Sequence, residues 1–121
     1  MTSRRLVIID DEPEFGQFVR KVAEEMDFEV RVTTQATHFK EVYEAFDPTA
    51  IVLDVVMPET DGIELVNWLA DRHYQGKLVI VTGFTPRYAE LASKLSAGKG
   101  MTSVTALYKP VELEKLRAAL S

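Results

Sequence analysis

The stretch Leu6-Val7-Ile8-Ile9-Asp10-Asp11-Glu12-Pro13 changes character once, and that change decides the fold. Leu6 to Ile9 is a short apolar run rich in β-branched residues, the composition of a buried strand. Three acids end it. Pro13 then suits the first turn of a helix, where its missing N–H is not needed. Behind it Phe15, Phe18, Val19, Val22 and Met26 recur at spacings of three and four, the stripe of an amphipathic helix. The chain therefore opens as strand, acidic loop, helix.

The same alternation runs on to the end. Phe28 to Thr33 alternates apolar residues with Glu29 and Arg31, which reads as a half-exposed edge strand. Thr34 is placed to cap the next helix, whose stripe is Ala36, Phe39, Tyr43 and Phe46. Ala50 to Leu53 is a buried strand, followed by a loop through Pro58 and Gly62 and a helix over Ile63 to Ala70. Lys77 to Val81 is another buried strand, and Pro86 opens a helix through about Leu95. A loop with Gly98 and Gly100 leads to a strand over Val104 to Tyr108, and Val111 to Leu120 closes as a helix. Five strands alternating with five helices predict a parallel sheet covered on both faces. The flavodoxin-like doubly wound order 2-1-3-4-5 is the natural one, because the edge-like strand is the second.

The 121 residues suit one domain spanning residues 1–121. The absence of cysteine excludes disulfides, thiolate metal sites and cysteine nucleophiles. Aliphatic runs such as Leu6 to Ile9 and Leu78 to Val81 fall far short of the roughly 20 residues of a membrane span. Met1 to Arg5 leads straight into a strand and has no signal-peptide pattern, so a cytoplasmic location is expected. A net charge of −5 argues against non-specific binding to nucleic acid.

Ligands of an open α/β sheet bind outside the carboxyl ends of its strands. Asp10 and Asp11 follow strand one, Asp54 strand three, Thr82 strand four, and Lys109 with Pro110 strand five. In the expected order these strands are neighbours, so the side chains line one edge. Carboxylates converging there repel by about 4 kcal/mol per pair at about 4 Å and an effective dielectric near 20. A cation is needed, and oxygen ligands without cysteine or histidine point to Mg²⁺, with Mn²⁺ as a substitute. One divalent cation together with Lys109 would neutralise Asp10, Asp11 and Asp54. Such a site suits a phosphoryl group, whose transfer needs mainly positioning and charge stabilisation. Asp54 is the candidate nucleophile, because it ends a central strand and precedes a loop with room for a ligand. Thr82 could donate its hydroxyl to a phosphate oxygen, and Gly83 gives backbone access with no Cβ in the way.

The segments Val7-Ile8-Ile9-Asp10-Asp11-Glu12, Leu53-Asp54-Val55-Val56-Met57-Pro58 with Asp61-Gly62, Val81-Thr82-Gly83 and Lys109-Pro110 together resemble the receiver domain of bacterial two-component response regulators. The resemblance covers nearly the whole chain. It implies a signalling domain rather than an enzyme, limited to its own phosphorylation and dephosphorylation. Asp54 would be the phosphoacceptor. Asp10, Asp11, Asp54 and the backbone carbonyl of Val56 would hold Mg²⁺, Asp10 directly or through water. Lys109 would pair with the phosphoryl group, Thr82 would bond to it and reorient, and the backbone at Val56 and Gly83 would border it. The phosphodonor would be a sensor histidine kinase or a histidine phosphotransfer protein. Output or homodimer contacts would use the face of the fourth helix, fifth strand and fifth helix. The Lys109–Pro110 bond would be cis.

The chain departs from the pattern in places. Receivers usually carry an aromatic residue three positions before the lysine, where this chain has Ala106. Tyr108 stands next to the lysine instead, and strand alternation is read as pointing it differently. The stretch from Thr82 to Lys109 is longer than usual near Gly98 to Ser103. The sequence ends at Ser121, and either a stand-alone receiver or a piece of a longer regulator is expected. Val56 and Phe84, two positions beyond Asp54 and Thr82, are expected to shield an acyl phosphate from water.

Taken singly, each segment has an ordinary reading as a cap, a turn or a solvated lysine. Independent turn residues have no reason to fall at four neighbouring strand ends. A phosphatase-like hydrolase would need its nucleophile after strand one and a second acid two residues later, and Glu12-Pro13 fits that poorly. A flavin site would need a Ser-, Thr- and Gly-rich loop where this chain carries acids that repel phosphate. A receiver acting only as a binding module would not need the full acidic set with Thr82 and Lys109. His38 and His73 read as surface residues, and Trp68 as core or covered surface.

Overall fold

The computed structural model describes residues 3–57, 60–83, 90, 94, 98, 100–101 and 103–121, with only the backbone of Val56, Thr60 and Asp61. Strands β1 (Arg4–Ile9), β2 (Phe28–Thr33), β3 (Ala50–Asp54), β6 (Lys77–Thr82) and β7 (Val104–Tyr108) form one parallel sheet in the order β2-β1-β3-β6-β7. This is the expected 2-1-3-4-5 order. The edge strands β2 and β7 show alternating exposure, whereas β3 is buried along its whole length.

Alternation along the strands divides the core in two. Leu6, Ile8, Val52, Val79 and Val81 face helix α1 (Pro13–Glu25) and the C-terminal helix (Leu113–Leu120), through Val19, Val22, Leu116 and Leu120. Val7, Ile9, Ile51, Leu53, Leu78 and Ile80 face helices α2 (Ala36–Phe46) and α3 (Gly62–Asp71), through Phe39, Leu65, Val66 and Leu69. Trp68 is half-buried on this side, its ring edge-on to Phe39 at 6.2 Å and to Tyr43 at 5.1 Å. Burial on this scale supplies the main drive for folding, at about 25 cal/mol per Å² of apolar surface.

Pro13 occupies the first turn of α1 as expected. Gly16 lets that helix approach the sheet, since a Cβ there would lie 2.9 Å from Val32 Cγ1. His38 and His73 are exposed.

The structure corrects several local readings. The cap of α2 is Gln35 rather than Thr34, because Thr34 lies one residue outside the helical turn. Strands β3 and β6 each run one residue further, since Asp54 and Thr82 still pair in the ladder. Helix α3 gains a residue at each end, and the C-terminal helix starts two residues later than Val111. Val56–Met57 (β4) and Thr60–Asp61 (β5) pair as a two-stranded antiparallel ribbon where a loop was expected. Gly98, read as loop, is helical. The expected helix over Pro86 to Leu95 lies mostly outside the described residues, of which Glu90 and Lys94 are helical. Among the described residues no helix is long and apolar enough to cross a membrane.

Candidate phosphoryl-acceptor site

Parallel register brings the polar strand ends together. Ile9 pairs with Leu53, so Asp10 and Asp54 stand level across the β1–β3 junction. Val81 pairs with Asp54, and Tyr108 with Thr82, so Thr82 and Lys109 follow one step further out. Asp10, Asp54 and Thr82 are all buried. Asp11 is exposed at the mouth of the site.

Two local devices fix the edge. Asp10 N–H donates to Thr33 O at 3.2 Å, and the Thr33 hydroxyl donates to Ile8 O at 2.7 Å, which ties the end of β1 to β2. Lys109 N–H donates to Thr82 O at 2.9 Å, which ties the turn after β7 to β6. The Lys109–Pro110 peptide is cis, as the resemblance implied. Gly62 permits the turn after the ribbon, because a Cβ there would overlap the Val55 backbone, with Val55 O at 2.7 Å.

One carboxylate oxygen from each of Asp10, Asp11, Glu12 and Asp54 lies within 4.8 Å of the others. Lys109 Nζ reaches into this cluster, 2.7 Å from Glu12 Oε1, 2.9 Å from Asp10 Oδ2 and 3.5 Å from Asp54 Oδ2. Its contact with Asp10 lies off the hydrogen-bond direction, so it is an ion pair and Asp10 Oδ2 accepts no hydrogen bond. Burial raises the Asp10 carboxyl above the usual range, against the opposing pull of Lys109 and of the Glu12 N–H, which donates to Asp10 Oδ1 at 2.8 Å. Burial alone would lower the Lys109 ammonium, but hydrogen bonding to Glu12 and attraction to Asp10 and Asp54 outweigh it and hold it above the lysine range.

A buried carboxylate oxygen without a hydrogen bond, in an all-oxygen cluster, fits a hard divalent cation. Above the cluster opens a cavity of about 870 Å³, bordered by Asp11, Glu12, Phe15, Asp54, Gly83 and Lys109 among others. Gly83 is exposed, and the nearest atom to a Cβ placed on it would be Lys109 Cβ at 3.5 Å.

Residues 6–121 match the model of the response regulator receiver domain. The chain belongs to that family. Relatives of the receiver include the photosynthetic apparatus regulatory protein RegA of Rhodobacter capsulatus, 24% identical over 119 residues, covering 98% of this chain and 62% of RegA. The response regulator protein PilR of Pseudomonas aeruginosa is 27% identical over 118 residues, covering 97% of this chain and 25% of PilR. The receiver thus spans from a quarter to about three-fifths of these relatives. Among solved structures, a Burkholderia pseudomallei response regulator with a phosphorylated aspartic acid, calcium ion and citrate shares the fold. Its TM-score is 0.80 at 22% identity, over 98% of this chain and 67% of that one.

Asp10, Asp11, Asp54 and Lys109 thus meet at one place, with Thr82 and Gly83 at the same sheet edge. The Val56 backbone lies in β4, two residues beyond Asp54. Phe84 and the Val56 side chain, read as a water shield, lie outside the described residues. Glu12 was assigned no role from the sequence, yet it makes the shortest contact to Lys109. The available signal was its place directly before Pro13, where glutamate is a poor helix cap. The direction read for Tyr108 is corrected as well. Ala106 and Tyr108 are two residues apart on β7, so alternation puts both on one face, Tyr108 beside Thr82.

Proposed function

We propose that this receiver accepts a phosphoryl group on Asp54 in a Mg²⁺-dependent reaction and changes its partner contacts in response. The observation that carries the reading is the convergence on Asp54. Its buried carboxylate opens on a cavity and is faced by the Lys109 ammonium and by an acidic cluster in which Asp10 Oδ2 accepts no hydrogen bond. The phosphorylated aspartic acid named for the Burkholderia structure is consistent with this reading.

An oxygen of Asp54 attacks the phosphorus of a phosphohistidine, forming a P–O bond as the donor's P–N bond breaks. The electron pair of that bond goes to the departing imidazole nitrogen, which takes its proton from solvent. The product is an acyl phosphate on Asp54. Lys109 balances charge on the transferred oxygens, Thr82 donates its hydroxyl to one of them, and the backbone at Val56 and Gly83 borders them. Asp10, Asp11, Asp54 and the Val56 carbonyl would hold Mg²⁺, or Mn²⁺ in its place. The cation supplies charge neutralisation at the phosphoryl oxygens.

In this reading residues 1–121 form a single cytoplasmic receiver domain, phosphorylated by a sensor histidine kinase or a histidine phosphotransfer protein. It carries out no turnover beyond loading and losing its own phosphoryl group. Output or homodimer contacts use the face of β7 and the C-terminal helix, where Tyr108 and Leu113 are exposed. The test is phosphotransfer from a phosphorylated histidine kinase domain to the parent chain and to Asp54→Asn. Transfer to the parent alone supports the reading, and equal labelling of both removes Asp54 from it.

A further inference from the structure

Among the described residues the shortest contact of the Lys109 ammonium is to Glu12, at 2.7 Å, while Asp54 stands at 3.5 Å. Glu12 occupies the N-cap position of α1, yet its side chain makes no capping hydrogen bond. Its backbone is pinned instead, with the N–H donating to Asp10 Oδ1 and the carbonyl accepting from Gly16 N–H at 3.2 Å. A fixed backbone and an unused cap leave the carboxylate committed to Lys109. The Phe15 ring, in the same first turn, lies 4.5 Å from Nζ and completes the seat. Both groups draw the ammonium toward α1.

A lysine has three N–H donors; among the described residues they donate to Glu12 and Asp54, and Asp10 adds an ion pair. A phosphoryl group on Asp54 would claim at least one. Asp10 is buried and cannot lose its counter-charge cheaply. The Glu12 side chain is 63% exposed, so water can replace its ammonium partner at small cost. Glu12 is therefore the partner that gives way.

We propose that Glu12 is a positioning residue that holds Lys109 toward α1 before phosphorylation, opposes its transfer to the phosphoryl group, and thereby slows loading of Asp54. This rests on Asp54 being the phosphoacceptor.

The test compares the parent with Glu12→Gln in two measurements. The first is the ¹⁵N–¹H signal of the Lys109 side chain in the absence of any phosphodonor, assigned by its loss in Lys109→Met. The second is the rate of labelling by acetyl phosphate, read by intact mass, with Mg²⁺ raised until the rate no longer increases. The Lys109 signal is expected to shift in Glu12→Gln, and labelling to be about two- to five-fold faster, the range an exposed ion pair commands. An unshifted signal overturns the proposal whatever the labelling shows. Labelling that is unchanged or slower at saturating Mg²⁺ also overturns it, the slower result making Glu12 a cation ligand instead. If the parent takes no label from acetyl phosphate or from a phosphorylated histidine kinase, the phosphoacceptor reading fails and this inference falls with it.

Discussion

Lys109 Nζ lies 3.5 Å from Asp54 Oδ2, joining residues 55 apart in sequence across the carboxyl ends of β3 and β7. The same ammonium is the counter-charge of buried Asp10. Replacing Lys109 by Met therefore does two things. Labelling of Asp54 falls sharply, because the transferred oxygens lose the ammonium that faces Asp54. In chelator the fold loses stability on the order of 3 kcal/mol, because Asp10 is left buried without its partner. Urea unfolding with and without Mg²⁺ checks the second effect, and Mg²⁺ should restore part of the loss.

Asp10→Asn should move stability and cation binding in opposite directions. Burial disfavours the Asp10 carboxylate, so removing its charge relieves the cation-free protein by about 1 kcal/mol. The same change removes a proposed Mg²⁺ ligand. Thermal unfolding should show a higher midpoint in chelator and a smaller rise on adding Mg²⁺ than in the parent. A lower midpoint in chelator together with a parent-sized Mg²⁺ response would contradict the assignment.

Two glycines give a matched pair. A Cβ on Gly62 would overlap the Val55 backbone, so Gly62→Ala forces the ribbon and α3 apart and costs about 1–3 kcal/mol. A Cβ on Gly83 would meet Lys109 Cβ at an ordinary 3.5 Å, so Gly83→Ala should change stability by no more than about 0.5 kcal/mol. Denaturant midpoints at constant m-value compare them directly.

Tyr74 gives the fold a dependence on alkaline pH. Its hydroxyl donates to Lys77 O at 3.0 Å, and burial raises the phenol well above its ordinary value of 10.0. A group raised in this way contributes stability that is complete below pH 10 and is lost as pH climbs toward the folded-state value. Tyr74→Phe should cost about 1 kcal/mol at neutral pH through the lost hydrogen bond. Above pH 10 it should unfold with a weaker pH dependence than the parent.

Most of the sheet could be read from period alone. The continuous apolar runs of β1, β3 and β6 and the alternation of β2 fix both identity and order, because only a doubly covered centre tolerates the first and only an edge needs the second. Asp10, Asp54, Thr82 and Lys109 were legible because register aligns strand ends. The β4–β5 ribbon was not, since two-residue strands carry no period. The Glu12–Lys109 pair was not either, because it spans 97 residues and depends on which way an exposed side chain turns. The direction of Tyr108 was misread although the sequence carried it, since counting two residues from Ala106 suffices to place both on one face.

The most direct test is the intact mass of the protein after incubation with Mg²⁺ and acetyl phosphate. Asp54→Asn and a chelator-treated sample serve as controls. The parent is expected to gain one phosphoryl group, absent from both controls. A parent that gains nothing from acetyl phosphate or from a phosphorylated histidine kinase would contradict it, as would an Asp54→Asn protein that gains as much as the parent.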